Sequence, residues 1–143
     1  MTCFSNDGKR YIGTWRKGKR NGTGKIQWPK GDTYIGYFVN GKRDGTGIFK
    51  AADGASYEGS WKSGKRDGEG KLKRKNGDVY FGRFKRDKIS GYGTMQYADG
   101  KVYEGEWKNG KRNGDGVLTL PTGDRFLGNF VDDYLNGYGE CYL

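Results

Sequence analysis

Apolar and polar residues alternate with a period of two in short runs along the whole chain. In the run that starts at Tyr57, the residues Tyr57, Gly59 and Trp61 would share one face, and the polar residues between them would share the other. Residues 68–73 alternate in the same way. Successive side chains of a β-strand point to opposite faces of the sheet, so this periodicity predicts two strands.

Glycine-rich turns separate these runs. Within a copy the predicted turn covers residues 63–68, and between copies it contains dipeptides such as Asp53-Gly54 and Asn76-Gly77. Both kinds of turn are rich in residues that tolerate a positive φ. Each copy is therefore predicted to be a β-hairpin, and the chain is predicted to be all-β, an antiparallel meander of hairpins joined in a row.

The same skeleton repeats every 23 residues without insertion or deletion. An aromatic residue opens each copy, a glycine and a second aromatic follow at intervals of two, and a Gly-x-Gly closes it. The opening aromatics are Tyr11, Tyr34, Tyr57, Tyr80, Tyr103 and Phe126. So strict a repeat predicts units that contact only their neighbours, and residues 1–143 are predicted to form a single array with a partial repeat at residues 1–10.

The strand glycines need a compensating partner, because glycine inside a strand costs roughly 0.5–1 kcal/mol relative to alanine. The aromatic residues recur with the glycines and share a face with them on this register. A flat ring can lie across a strand only where no Cβ obstructs it. Gly59 is therefore predicted to provide space for a ring.

The pattern Tyr-x-Gly-x-Trp-x-x-Gly-x-x-x-Gly-x-Gly resembles the MORN repeat (membrane occupation and recognition nexus), with six copies from Tyr11 to Gly139. The resemblance implies an elongated, twisted, single-layer antiparallel sheet. It also implies partners in cytoskeletal, ciliary or membrane-junction assemblies. The chain departs from the pattern where Asp87 and Asp133 replace a turn glycine and where Phe126 replaces the opening tyrosine. Ile89, Tyr134 and Leu135 also place apolar groups where other copies have lysine or arginine, so the fourth and sixth turns are expected to differ in role.

The composition argues against catalysis. The chain has no histidine, so the usual catalytic triads, histidine-ligated metal sites and histidine acid–base chemistry are absent. The acidic residues form no recurring ligand set, and the glycine-rich stretch 41–47 precedes a strand, whereas a phosphate loop opens a helix. The sequence predicts a protein that is not an enzyme and that has no metal site and no cofactor.

The first candidate surface is the aromatic face. No amphipathic helix is available in the sequence to cover it, so a partly exposed stripe is expected, suited to an extended peptide or a helix of a protein partner. The leading hypothesis is a non-catalytic protein–protein interaction scaffold with this stripe as its binding surface. The predicted partner-binding residues are Tyr11, Trp15, Tyr34, Phe38, Tyr57, Trp61, Tyr80, Phe84, Tyr103, Trp107, Phe126 and Phe130.

The second candidate surface is a basic ridge at the hairpin tips, in a chain of net charge +10. One basic pair per copy would lie about 10 Å from the next. The ridge could bind an acidic protein, or tether the chain to phosphoinositides or another anionic membrane surface, or simply keep the protein soluble. Nucleic acid is disfavoured because no reading module accompanies the charge. The predicted anion- or lipid-binding residues are Lys19, Arg20, Lys42, Arg43, Lys65, Arg66, Lys88, Lys111 and Arg112.

The two ends of the array leave unpaired strand edges. These edges suggest either an end-to-end homodimer or a longer native chain, and MORN-like arrays also serve as targeting or regulatory segments of larger enzymes.

Cys3 and Cys141 occupy one repeat column about 60 Å apart, which excludes a disulfide within one molecule. With no apolar run long enough to span a bilayer, the expected location is cytoplasmic, with possible association with the cytoskeleton or a membrane.

Overall fold

The structure is a computed structural model that describes residues 2–143, and of Thr2 and Tyr138 it describes the backbone alone. Met1, the first residue of the predicted partial repeat, lies outside the described residues. Residues 2–143 form one open sheet of 13 strands whose spatial order is the order of the chain. All neighbouring strands are antiparallel, which confirms the predicted all-β meander of hairpins. The strands are β1 (Thr2–Phe4), β2 (Arg10–Arg16), β3 (Lys19–Gln27), β4 (Thr33–Val39), β5 (Lys42–Lys50), β6 (Ser56–Lys62), β7 (Lys65–Lys73), β8 (Val79–Lys85), β9 (Lys88–Gln96), β10 (Val102–Lys108), β11 (Lys111–Thr119), β12 (Arg125–Val131) and β13 (Tyr134–Tyr142).

The turn inside each repeat is only two residues long. Between β6 and β7 it consists of Ser63 and Gly64, which have φ angles of 49° and 84°. Two successive positive φ angles define the type I′ turn, whose twist matches that of the strands it joins. The turn predicted at residues 63–68 is therefore too long, and the basic pairs predicted at the tip are instead the first two residues of a strand.

A bulge interrupts the register after each short turn. Gly59 pairs with Gly70 and Trp61 pairs with Arg66, so β7 has two more residues than β6 over this interval. Gly68 lies in the bulge with a φ of 95°, a conformation that suits glycine. The first five repeats all shift register between the corresponding glycine and aromatic residue. The bulge turns a carbonyl group of the first strand, such as that of Ser60, towards the aromatic face.

The opening tyrosine of each of the first five repeats lies flat over two paired glycines. The Tyr57 hydroxyl donates a hydrogen bond of 2.8 Å to the Ser60 carbonyl oxygen. A Cβ at Gly59 would lie 2.5 Å from the Cα of Gly70, and a Cβ at Gly70 would overlap the phenol of Tyr57. The bare backbone therefore makes room for the ring, as the sequence predicts.

The core is a single file of aromatic rings. Each tyrosine contacts the second aromatic residue of its own repeat and that of the next, as Tyr57 contacts Trp61 at 5.1 Å and Phe84 at 5.0 Å between ring centroids. The rings meet edge to face, with interplanar angles of 86° in both pairs, a favoured arrangement for aromatic pairs. The zigzag runs without a break from Trp15 to Phe130. It connects each repeat to its neighbours only.

The two cysteines lie on the terminal strands of the sheet. Cys3 on β1 pairs with Tyr11, as Ile26 pairs with Tyr34 two strands further on. Cys141 on β13 pairs with Phe126. Both cysteines are free thiols on the outermost strands of the described sheet.

Candidate functional site: an arginine-walled groove

The aromatic stripe is less exposed than the sequence suggests. Of the twelve rings predicted to bind a partner, only two retain appreciable exposure: Trp15, which is 39% exposed, and Phe126, which is half-buried. The expectation assumed that nothing in a single-layer sheet could cover the rings, but the rings cover one another and arginine side chains cover their faces. The buried rings are Tyr11, Tyr34, Phe38, Tyr57, Trp61, Tyr80, Phe84, Tyr103, Trp107 and Phe130.

The arginine of each basic pair reaches the turn of the next repeat. The Nη2 of Arg20 donates to the carbonyl oxygen of Gly41 at 2.8 Å, and the Nη2 of Arg43 donates to that of Gly64 at 3.0 Å. The backbone completes the link, because the Gly64 amide donates to the Arg43 carbonyl oxygen. These arginines therefore connect consecutive hairpins and do not project from the sheet edge.

The guanidinium groups also lie over the aromatic rings. The Cζ of Arg43 lies 4.5 Å from the centroid of Trp61, and that of Arg20 lies 5.5 Å from the centroid of Phe38. Such cation–π contacts contribute about 0.5–2 kcal/mol, with the larger values in desolvated sites. Burial lowers the pKa of the Arg43 guanidinium from its ordinary value, yet arginine stays protonated in proteins. The arginines thus form a charged wall along one side of the ring file.

Two turns carry an aspartate in place of glycine, and each aspartate binds the arginine of the preceding repeat. Asp87 Oδ1 accepts from the backbone amide of Arg66 at 3.0 Å and from its Nε at 2.9 Å. Burial alone would raise the pKa of Asp87, but the hydrogen bonds from Arg66 outweigh this effect and hold the pKa below its ordinary value. Asp133 Oδ1 accepts from the Arg112 amide at 2.8 Å, but it lies 3.5 Å from the Arg112 Nε, too far for a hydrogen bond. These carboxylates form ion pairs with their arginines, so the two turns that depart from the sequence pattern provide a negative charge that the glycine turns lack.

The fourth repeat has no arginine at this position. Ile89 takes its place and is 4% exposed. The turn that follows still forms its backbone bond, from the Gly110 amide to the Ile89 carbonyl oxygen. The wall of guanidinium groups is therefore interrupted in the fourth repeat.

A row of concavities lies between the arginines and the apolar residues near the other end of the strands. The first, of about 360 Å³, is lined by Trp15, Arg20 and Ile26. The next, of about 190 Å³, lies between Arg20 and Arg43. The third, of about 290 Å³, lies between Arg43 and Arg66 and is lined by Phe49, Trp61 and Leu72. We call this row the inner groove. Phe49 and Leu72 are half-buried. The sequence did not predict them as site residues, because they stand in a repeat column that is recognisable only as apolar.

The lysines that begin the second strand of the first five repeats are exposed, unlike the arginines that follow four of them. The sequence predicted one ridge made of both residue types, but the arginines turn towards the rings and only the lysines remain at the sheet edge. The positive charge that these positions place at the sheet edge therefore comes from the lysines and not from the arginines. The exposed lysines are Lys19, Lys42, Lys65, Lys88 and Lys111.

The opposite face of the sheet, which we call the outer face, also carries apolar residues. Ile35 pairs across β4 and β5 with Ile48, and the two are 53% and 37% exposed. Phe49, the neighbour of Ile48 in the chain, lies on the inner groove instead. Substitutions at Ile48 and Phe49, which are adjacent in the chain, therefore test the two faces of the sheet separately.

Within residues 2–143, no group of three or more histidine, cysteine, aspartate and glutamate side chains lies close enough to hold a metal ion. The same residues contain no helix long and apolar enough to cross a membrane.

Similar folds occur among solved structures. The TCP domain of SAS-4 (dCPAP) from Drosophila melanogaster, solved in complex with a proline-rich motif of Ana2 (dSTIL), matches with a TM-score of 0.50 and 16% sequence identity. The match covers 99% of this chain and 82% of that one. At this identity the likeness concerns the fold. No curated protein matches the sequence significantly.

The sequence also matches the family profile described as MORN repeat. The match consists of consecutive segments at residues 11–33, 34–56, 57–79, 80–102, 103–125 and 126–143. Their boundaries coincide with the opening aromatic residues of the hairpins described above. The chain belongs to the MORN repeat family.

Proposed function

We propose that this array is a non-catalytic binding module that holds an extended segment of a partner protein in the inner groove. The observation that carries the proposal is the row of concavities beside Arg20, Arg43 and Arg66, each with an apolar lining next to a guanidinium group. Such a lining suits a peptide that offers side chains and carbonyl groups in turn. The array extends in one direction, so an extended segment can contact several repeats.

The comparisons support a peptide as the ligand. The TCP domain of similar fold was solved with a proline-rich motif bound. A proline-rich segment is extended before it binds and loses little conformational entropy on binding. The inner groove of this chain offers guanidinium groups and aromatic edges to such a ligand.

Selection of peptides from a random displayed library, followed by affinity measurement, would test the proposal. Phe49→Ser should weaken a selected peptide at least about tenfold because it removes an apolar contact of the groove. Ile48→Ser, a change of the next residue on the outer face, should leave the affinity unchanged. Circular dichroism would confirm that both variants fold. Equal effects of the two variants, or a selection without any specific peptide, would refute the inner groove as the site.

A second candidate function is attachment to an anionic membrane through the lysine edge. The observation that favours it is the recurrence of one exposed lysine on the same edge in each of the first five repeats, at Lys19, Lys42, Lys65, Lys88 and Lys111. Each basic residue near an anionic surface contributes about 1 kcal/mol. Flotation with phosphatidylserine vesicles should then fall with salt and with Lys42→Gln plus Lys65→Gln. Absence of flotation at low salt would refute this candidate.

We also propose a cytoplasmic location, as expected from the sequence, in a cytoskeletal, ciliary or membrane-junction assembly, as the resemblance to the family implies. Imaging of the tagged protein in cells would test it.

End-to-end pairing of the edge strands β1 and β13 is a further proposal, and light scattering over a range of concentrations would show whether the molecule forms dimers.

A further inference from the structure

We propose that the inner groove is polar along its length: the part at Arg20 and Arg43 binds an acidic portion of the partner segment, and the part beyond Arg66 binds an uncharged portion. This inference rests on the proposed function and adds the chemistry and the direction of the ligand. It follows from whether a carboxylate of the protein pairs with the arginine of each repeat.

Two arginines are paired with a carboxylate and two are not. Arg66 contacts Asp87 at 2.9 Å, and Arg112 contacts Asp133 at 3.5 Å. Among the described residues, no carboxylate lies within ion-pair distance of Arg20 or Arg43. Their turn partners are Gly41 and Gly64, which offer a carbonyl oxygen but no charge. One residue of the turn therefore decides whether a guanidinium keeps its net charge.

The nearby acidic side chains do not replace the missing partner. Asp44 follows Arg43 in the chain, but its Oδ2 accepts from the backbone amide of Ser63 at 3.2 Å. Asp87 lines the same concavity as Arg43, yet it forms its ion pair with Arg66. The charge of Arg43 is thus available to a ligand.

The surroundings of Arg43 strengthen the attraction for a carboxylate. Its guanidinium lies over Trp61. It also borders the concavity shared with Arg20, which is lined by Trp28 and Phe38 and by no acidic residue. A charge-assisted hydrogen bond is stronger where water is partly excluded, and the fork of a guanidinium matches a carboxylate. A ligand carboxylate would pair with the half-buried charge, with which no carboxylate of the described residues forms an ion pair.

The other part of the groove lacks this attraction. Ile89 replaces the arginine of the fourth repeat, and Arg112 already forms an ion pair with Asp133. A second acidic group bound near Asp87 or Asp133 would meet a like charge, which is unfavourable. An acidic segment would therefore bind with its carboxylates towards β3 and β5.

The chain provides its own variants for a test. Asp87 has a φ of 74° and Gly64 a φ of 84°, so an aspartate at position 64 can take the backbone conformation that Asp87 already has. Gly64→Asp should place a carboxylate on Arg43. Gly110→Asp is the matched control, because it makes the same change of charge at the same turn position but follows Ile89, where no arginine can pair with it. Asp87→Gly should have the opposite effect, since it frees Arg66.

Fluorescence anisotropy with two labelled ten-residue peptides, one alternating glutamate with leucine and one alternating glutamine with leucine, would test the inference. The glutamate peptide should bind at least about tenfold more tightly than the glutamine peptide. Gly64→Asp should remove most of that difference, Gly110→Asp should preserve it, and Asp87→Gly should increase it.

Equal affinity for the two peptides, no measurable binding of either, or equal effects of Gly64→Asp and Gly110→Asp would overturn the inference. The groove could still bind peptides selected from the random library, so this failure would be distinguishable from failure of the proposed function. Thermal unfolding of each variant would show that a loss of affinity does not come from unfolding.

Discussion

The phenol of Tyr57 occupies the space that a side chain at Gly70 would need. The ring lies along the sheet, and its hydroxyl reaches the Ser60 carbonyl that the bulge exposes. Ring, glycine and bulge therefore depend on one another, since the ring needs the bare strand and the bulge needs a donor. The same set recurs with Tyr11, Tyr34, Tyr80 and Tyr103.

The space at Gly59 can be tested by filling it. Gly59→Val would place a Cβ 2.5 Å from both the Gly70 Cα and the Glu69 carbonyl oxygen, so the paired strands must separate. We expect a loss of about 1–3 kcal/mol in the free energy of unfolding, as in other overpacked sites. Lys62→Ala, at an exposed position of the same strand, should change it by less than about 0.5 kcal/mol. Equal chemical denaturation midpoints for the two variants would contradict the steric argument.

The hydroxyl of Tyr57 should stabilise the bulge. Tyr57→Phe keeps the ring but removes the donor to Ser60, and we expect a loss of about 0.5–1.5 kcal/mol. Tyr92→Phe removes a hydroxyl from a side chain that is 62% exposed and should have little effect. Urea unfolding followed by circular dichroism would measure both. A Tyr57→Phe variant as stable as the native protein would show that the hydroxyl makes no net contribution.

The buried tyrosines predict a loss of stability at alkaline pH. Burial raises the pKa of Tyr34, Tyr57, Tyr80 and Tyr103 to about 12, whereas an unfolded tyrosine titrates at about pH 10. The folded state therefore retains protons that the unfolded state loses, so stability is full below about pH 10 and falls as the pH rises towards 12. Phenolate absorbance and circular dichroism should change together in this range. Titration of all the tyrosines near pH 10 with the sheet intact would contradict this expectation.

The pairing of Asp87 with Arg66 predicts the opposite behaviour in acid. Hydrogen bonds from Arg66 hold the pKa of the Asp87 carboxyl below its ordinary value despite burial. The stabilisation is therefore present above the unfolded pKa of about 3.9 and is lost as the pH falls through the lower folded value. Carbon NMR of the carboxyl group would give this pKa directly. Arg66→Gln keeps the bond from the backbone amide but removes the guanidinium, so the pKa should rise in that variant. An unchanged pKa would rule out the guanidinium as a cause.

The hairpin meander could be predicted because two independent signals agree. The alternation at Tyr57, Gly59 and Trp61 gives the strand and its aromatic face, and the 23-residue period gives the order of the strands. The glycine positions even predict where the rings lie. Each of these features is local, so the sequence pattern contains it directly.

The exposure of the aromatic face could not be predicted from the same pattern. Arg43 is next to Lys42 in the sequence and appears equally solvated, but its guanidinium bonds to Gly64, 21 residues away, and lies over Trp61. The alternation gives the face on which a residue lies and not how far a long side chain reaches. The proposed binding surface is consequently shifted from the rings to the arginines and to half-buried residues such as Phe49 and Leu72.

Each strand is bonded only to the strands that precede and follow it in the chain. A pulling force on the two termini would therefore break the hydrogen bonds between neighbouring strands one pair of strands after another, starting from an end of the sheet. Each released unit of 23 residues would add about 75 Å of contour length. A molecule tethered at both ends would thus lengthen in discrete steps and act as an extensible mechanical link.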